Sequence, residues 1–201
     1  MKSATKKLFM VMLLLLTAYS QAATRSIEHA MGVTQVPEHP KRVVVLTNEG
    51  TEALLSLGVK PVGAVRSWSG SPWYKHIEAE MVGVQVVGVE NNVNLEMIAG
   101  LKPDLIIGTK FRQAKIYPIL SSIAPTVLSS TLRGQWQSNF SLYANTLNKQ
   151  SEGEALLASY YQRIAVLKAQ LGERSKQQIS VIRFMPSQVR IYQKDSFSGR
   201  L

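Results

Sequence analysis

The sequence predicts an α/β fold built on a parallel sheet, with a long helix leading into the start of a second α/β unit. Three stretches carry this. From Asn94 to Gly108 (NLEMIAGLKPDLIIG), Asn94 can cap a short helix, and Leu95, Ile98 and Leu101 recur at helical spacing. Lys102-Pro103 then ends the helix ahead of the apolar run Leu105 to Ile107, so a helix feeds a buried strand. Val43 to Leu46 is an unbroken apolar run rich in β-branched residues, the mark of a strand covered on both faces. Between Glu152 and Leu171, Leu156, Leu157, Tyr160, Tyr161, Ile164 and Leu167 keep helical spacing, which makes a helix roughly 30 Å long at about 1.5 Å per residue.

The remaining elements follow in order. Arg25 to Val36 alternates around Met31-Gly32 and predicts a small hairpin, after which Pro37 and Pro40 break the chain. Thr47 and Asn48 close the first buried strand, Glu49 to Leu57 form a helix stopped by Gly58, and Val59 to Val65 make the second strand. Arg66 to Trp73 mixes Arg66, Trp68, Gly70, Pro72 and Trp73 in a pattern that no core periodicity explains, as expected of a loop lining a site. Tyr74 to Met81 reads as a short helix and Gln85 to Val87 as a strand. Thr109, Lys110, Phe111 and Arg112 follow the strand that ends near Gly108, then a helix from about Gln113 to Ser122 and a strand at Thr126 to Leu128. A helix from Trp136 to Leu147 precedes the long one. Ile179 to Phe184 and Val189 to Tyr192 read as two strands of a new unit, with a further helix start near Phe197. Two strands and a helix start cannot bury their own apolar faces, so the second unit is expected to be incomplete in this chain.

Residues 1–22 are set aside as a secretory signal: Lys2, Lys6 and Lys7 precede the apolar run Leu8 to Leu16, and Ser20-Gln21-Ala22 offers a cleavage site near Ala22. The run is too short for a membrane span. The 201-residue chain has no cysteine, hence no disulfide and no lipid anchor at that site, which fits the periplasm. Its formal charge is +10, and without the three signal lysines 20 basic residues still face 13 acidic ones, a net of +7. An anionic partner is expected. An exported protein rarely meets nucleic acid, which leaves a small anionic ligand or an acidic surface.

Catalytic chemistry finds little support. The sequence has no GxSxG elbow, no P-loop, no GxGxxG and no cysteine nucleophile. His29, His39 and His76 lack the spacing that puts two on one helix face, so no metal site is expected. A binding site is better supported, because parallel sheets bind ligands outside the carboxyl ends of their strands. Those ends carry Thr47 and Asn48, Arg66 and Trp68, and Lys110, Phe111 and Arg112: three cations interleaved with aromatic walls. Arg183 closes a strand of the second unit and is a further candidate, whereas Arg190 inside the next strand could face outward. Tyr160 and Tyr161 fall in the apolar stripe of the long helix and read as core packing.

The Asn94–Gly108 stretch, together with Lys41-Arg42-Val43-Val44-Val45-Leu46, resembles the periplasmic binding proteins that deliver ferric siderophores and cobalamin to ABC importers, with the ferric dicitrate-binding type most similar. The resemblance implies a two-lobed class III fold: residues 23–135 as the N-terminal lobe, 136–173 as the helical connection, and 174–201 as the start of a C-terminal lobe truncated in this chain. It implies capture of a ferric siderophore, anionic and citrate-like given the cations, with iron carried inside the ligand and no cofactor or metal ligand of the protein's own. It also implies a monomer that docks on an inner-membrane permease and its ATPase through Glu96. Cobalamin or haem on the same scaffold is the alternative, and a metal-handling protein or an enzyme a more distant one.

Overall fold

The computed structural model describes residues 23–132, 134–194 and 196. The expected signal segment, 1–22, and the expected helix start at Phe197 lie outside them.

A hairpin opens the described chain, β1 (Thr24–His29) with β2 (Gly32–Pro37), turning at Gly32 with φ 120°. A five-stranded parallel sheet follows, built of β3 (Val43–Val45), β4 (Gly63–Ala64), β5 (Gln85–Val86), β8 (Leu105–Thr109) and β9 (Thr126–Ser129). Its strand order is β5–β4–β3–β8–β9. The register places Val44 opposite Ile106 and Gly63, and Ile106 opposite Thr126. Alternation along the strands feeds two cores. Val43, Val45, Leu105 and Ile107 pack with Leu54, Phe140 and Tyr143 on one face, and Val44, Leu46 and Ile106 with Ile98 and Leu120 on the other. Helices cover both faces, so the strands read as near-continuous apolar runs.

The covering helices are α1 (Asn48–Ser56), α2 (Leu95–Gly100), α3 (Lys110–Gln113), α4 (Tyr117–Ile123), α5 (Trp136–Thr146) and α6 (Gln150–Leu171). Asn94 caps α2 by accepting the Met97 N–H at 3.0 Å, as the sequence predicts. The opening hairpin leans on β9: Ala30 N–H donates to the Leu128 carbonyl, and Thr34 Oγ1 donates to the Thr126 carbonyl at 3.2 Å.

Several elements differ from expectation. Tyr74 to Met81 forms consecutive turns rather than a helix, with Ile77 and Met81 buried beneath them. The helix expected over 113–122 breaks into α3, a 3-10 turn at Ala114–Ile116, and α4, because Pro118 lacks the N–H an unbroken ladder needs. The second strand shrinks to Gly63–Ala64. An unforeseen hairpin, β6 (Gly88–Val89) with β7 (Asn92–Val93), stands between β5 and α2. Gly88 has φ 107°, and a Cβ there would lie 2.5 Å from the Asn92 carbonyl oxygen, so only glycine fits.

The stripe on α6 is covered only near its start. Gly153 is buried, and a Cβ on it would meet Ala144 Cβ at 2.6 Å, which shows how closely α5 and α6 approach. Farther along, Tyr161 is 52% and Leu167 50% exposed, so the core-packing role expected of Tyr161 does not hold; Tyr160 is half-buried, edge-on to Trp136 at 5.1 Å. The last elements, β10 (Val181–Met185) and β11 (Gln188–Tyr192), form an antiparallel hairpin exposed along nearly its whole length. Among the described residues no helix is long and apolar enough to cross a membrane.

Candidate functional site

The carboxyl ends of β3 and β8 meet the β6–β7 turn in one buried polar network. Thr47 is wholly buried, and its Oγ1 accepts the Gly50 N–H at 2.9 Å to cap α1. Asn48 is nearly buried and donates twice to Glu90 Oε1, from its backbone N–H at 2.7 Å and from Nδ2 at 2.9 Å. Both residues were expected to touch ligand directly. The structure puts them one layer below, because their polar atoms are needed to start α1 and to satisfy Glu90.

Glu90 is 5% exposed. Its carboxylate lies at the amino end of α1, where the helix dipole favours negative charge. Its carbonyl oxygen accepts from Gln113 Nε2 at 3.0 Å, and Gln113 Oε1 accepts the Thr109 N–H at 3.0 Å. Gln113 therefore latches the β6–β7 turn to the β8–α3 corner. Neither residue stood out in the sequence. Glu90's partners lie 42 residues upstream and 22–23 downstream, and a lone glutamate in a turn carries no periodic signal. The only local mark was Gly88.

On this base sits Arg112. Its Nε is buried, has no hydrogen-bond partner, and lies 4.0 Å from Glu90 Oε2. Its guanidinium carbon lies 4.9 Å from the Phe111 ring centroid, in cation–π range, and the Phe111 ring is 69% exposed. Lys110 opens the same short helix and is exposed.

The Arg66–Trp73 loop is anchored from within. Arg66 N–H donates to the Gly88 carbonyl at 2.9 Å, Ser67 N–H to the Pro72 carbonyl at 3.1 Å, and Tyr74 N–H to the buried Ser67 Oγ at 3.0 Å. This leaves the Arg66 side chain in solvent and Trp68 60% exposed. Trp73, expected to line the site, is 6% exposed and belongs to the core. Arg66 thus sits beside the hairpin that carries Glu90, with the exposed Trp68 two residues on, as the exposed Phe111 lies next to Arg112.

Arg183 stands on β10 directly opposite Arg190, so the two share a face of that hairpin. They hold the Tyr192 phenol below its usual pKa, chiefly through a hydrogen bond from Arg183. Among the described residues, Arg183 interacts with Tyr192 and pairs with Arg190. Glu96 is exposed in the first turn of α2. Among the described residues no group of three or more His, Cys, Asp or Glu could hold a metal ion.

A separate cavity of about 710 Å³ opens between α1, α5 and α6, walled by Trp136, Phe140, Leu156, Leu157 and Tyr160 and edged by Glu52. It shares no residue with the cation cluster. The buried Tyr143 phenol lining it donates to Ser129 Oγ at 3.2 Å and has its pKa raised by burial and by the Glu49 charge.

Comparison with known proteins gives this geometry a context. The probable siderophore-binding lipoprotein YfiY of Bacillus subtilis (strain 168) is 52% identical over 181 residues, covering 90% of this chain and 56% of that protein. The Fe(3+) dicitrate-binding periplasmic protein FecB of Escherichia coli (strain K12) is 32% identical over 79% of this chain and 53% of its own length. The crystal structure of Staphylococcus aureus SirA complexed with staphyloferrin B superimposes with a TM-score of 0.81 at 40% identity, covering 88% of this chain and 61% of that one. The chain thus spans little more than half the length of these curated relatives. The sequence profile described as "Periplasmic binding protein" matches residues 43–196, from β3 through the β10–β11 hairpin, and the chain belongs to that family.

Proposed function

We propose that the protein captures an anionic, ferric-citrate-like ferric siderophore in the periplasm and delivers it to an inner-membrane ABC importer. One observation carries the reading: Arg112 is half-buried, stacked on an exposed phenylalanine, and makes no hydrogen bond to any described residue. A partly buried guanidinium with free donors suits a carboxylate, which it can engage through two parallel bonds. Lys110 adds charge from the same strand end as Arg112 and Arg66 from the end of β4, with β3 between, and Trp68 and Phe111 offer flat apolar surfaces to the body of the chelate. Thr47 and Asn48 support the site from below. Arg183, with Arg190 beside it, contributes a second cationic surface from the following unit.

The relatives named above, described as binding a siderophore, ferric dicitrate and staphyloferrin B, support the same ligand class. Iron arrives wrapped in its chelator, so the protein needs no metal ligand or cofactor and performs no covalent chemistry. The segment 1–22 directs export and is removed near Ala22. The mature protein works as a monomer, does not bind nucleic acid, and docks through Glu96 on a permease powered by its ATPase.

The test is selectivity, read by tryptophan fluorescence with the whole protein. Ferric citrate should bind at least tenfold more tightly than a neutral ferric trihydroxamate, on the scale of about 1.4 kcal/mol per decade. Equal affinity for the two would overturn the reading.

A further inference from the structure

We propose that Glu90 is a positioning residue that sets the pose of Arg112, and through it the recognition of carboxylate ligands. The proposal rests on the anion-binding reading of Arg112. Its ground is the way Glu90 divides its two oxygens. Oε1 is occupied by both Asn48 donors, while Oε2 faces the buried, unpartnered Nε of Arg112 at 4.0 Å. That separation exceeds a hydrogen bond, so the contact is a charge attraction that orients the guanidinium without saturating it.

A carboxylate this buried is costly unless its charge is balanced, and Arg112 and the amino end of α1 are what balance it. With Nε drawn inward, the terminal nitrogens are left to meet a ligand. The Glu90 backbone is held in turn by Gln113, whose Nε2 donates to the Glu90 carbonyl while its Oε1 accepts the Thr109 amide.

Removing a negative charge beside an anion site strengthens anion binding if only long-range electrostatics matter. If Glu90 sets a pose, its removal weakens binding instead. Glu90→Gln keeps the shape and an acceptor for Asn48 but presents an amide donor to Arg112. Ferric citrate affinity is expected to fall about tenfold, while a neutral ferric trihydroxamate changes by less than about twofold. In an Arg112→Lys background, where the planar fork is gone, the Glu90→Gln effect should vanish. Tighter ferric citrate binding by Glu90→Gln, or an undiminished effect in the Arg112→Lys background, overturns the proposal.

A second measurement needs no ligand and separates this proposal from the ligand assignment. The Arg112 Nε–H resonance of the wild-type protein should be resolved by nuclear magnetic resonance and protected from solvent exchange, and Glu90→Gln should move it into the envelope of exposed arginines. Rapid exchange in the wild type, or an unmoved resonance in Glu90→Gln, overturns the positioning role even where ferric citrate binds. A wild-type protein that binds neither ferric complex but shows the protected, Glu90-dependent resonance retains the positioning role and loses only the ligand reading.

Discussion

Asp104 and Arg42 clasp the turn between α2 and β8 to the entry of β3. The Asp104 carboxylate accepts the backbone N–H groups of Lys41 at 2.7 Å and Arg42 at 2.9 Å, and Asp104 N–H donates back to the Arg42 carbonyl at 3.0 Å. Arg42 in turn sends Nε and Nη2 to the Leu101 carbonyl and Nε to that of Lys102, covering acceptors that the end of α2 leaves unpaired. Lys41-Arg42 and Lys102-Pro103-Asp104, some 60 residues apart in sequence, thus join the entries of β3 and β8, the central parallel pair.

Asp104→Ala removes a charged acceptor from two backbone donors. Bonds to charged groups contribute about 1.5–3 kcal/mol each, and Asp104 is only half-buried, so water compensates in part. A total loss of about 2 kcal/mol is expected in urea unfolding, with an unchanged m-value. A loss under about 0.5 kcal/mol, the level of an ordinary surface change, would contradict the clasp.

His29 predicts an acid-sensitive edge. Burial lowers its pKa below the ordinary value of 6.5. Nδ1 accepts the N–H groups of Leu128 at 3.2 Å and Met31 at 3.4 Å, so the proton sits on Nε2, which donates to Thr34 Oγ1 at 2.8 Å. The folded state thus favours the neutral ring. Its stabilisation is complete above the unfolded-state value and is lost as pH falls from about 6.5 towards the lower folded-state value. Thermal unfolding from pH 7.5 to 5 should show a fall that His29→Gln, which cannot titrate, lacks. Parallel curves for the two proteins would remove His29 as the cause.

Within the cation cluster, Arg112→Ala should weaken ferric citrate binding by tenfold or more, since a charge-assisted hydrogen bond contributes about 1.5–3 kcal/mol. Arg66→Ala should cost less, because its side chain lies in solvent and the charge is screened. Fluorescence titration orders the two variants. A larger loss at Arg66 than at Arg112 would move the centre of the site towards the Trp68 loop.

The parts of this molecule that the sequence made legible are those whose causes are local. Val43 to Leu46 reads as a doubly covered strand because its residues alternate between the two cores, Val43 and Val45 to one and Val44 and Leu46 to the other. The Asn94 cap and the Gly58 stop are equally local, the latter at φ 72°. Tyr74 to Met81 misleads because Trp73, Ile77 and Met81 are buried at helical spacing, yet the bonds from Ile77 to Tyr74, Glu80 to Ile77 and Met81 to Glu78 span three residues and only that from Met81 to Ile77 spans four, between Pro72 and Gly83. The strand-end rule singled out Arg112 and Phe111, which the fold sets together beside Glu90, but burial alone separates the exposed Trp68 from the core Trp73 five residues on. Glu90 was not legible, since its function in the fold exists only once three distant loops converge.

Glu96 supplies the last prediction. It is exposed in the first turn of α2, while the cap itself is made by Asn94 Oδ1 to Met97 N–H. A first-turn carboxylate gains only about 0.3–1 kcal/mol from the helix dipole, so Glu96→Ala should barely alter stability or ligand affinity. Set against a cationic pocket on a permease, the same group matters far more, because its loss leaves desolvated partner charges unpaired, and reversing its sign adds repulsion. The two roles separate in a reconstituted importer. Glu96→Ala should slow ferric citrate uptake several-fold and Glu96→Arg should nearly abolish it, both with ferric citrate affinity in solution within about twofold of wild type. Uptake by Glu96→Arg at the wild-type rate would confine Glu96 to the helix terminus it occupies.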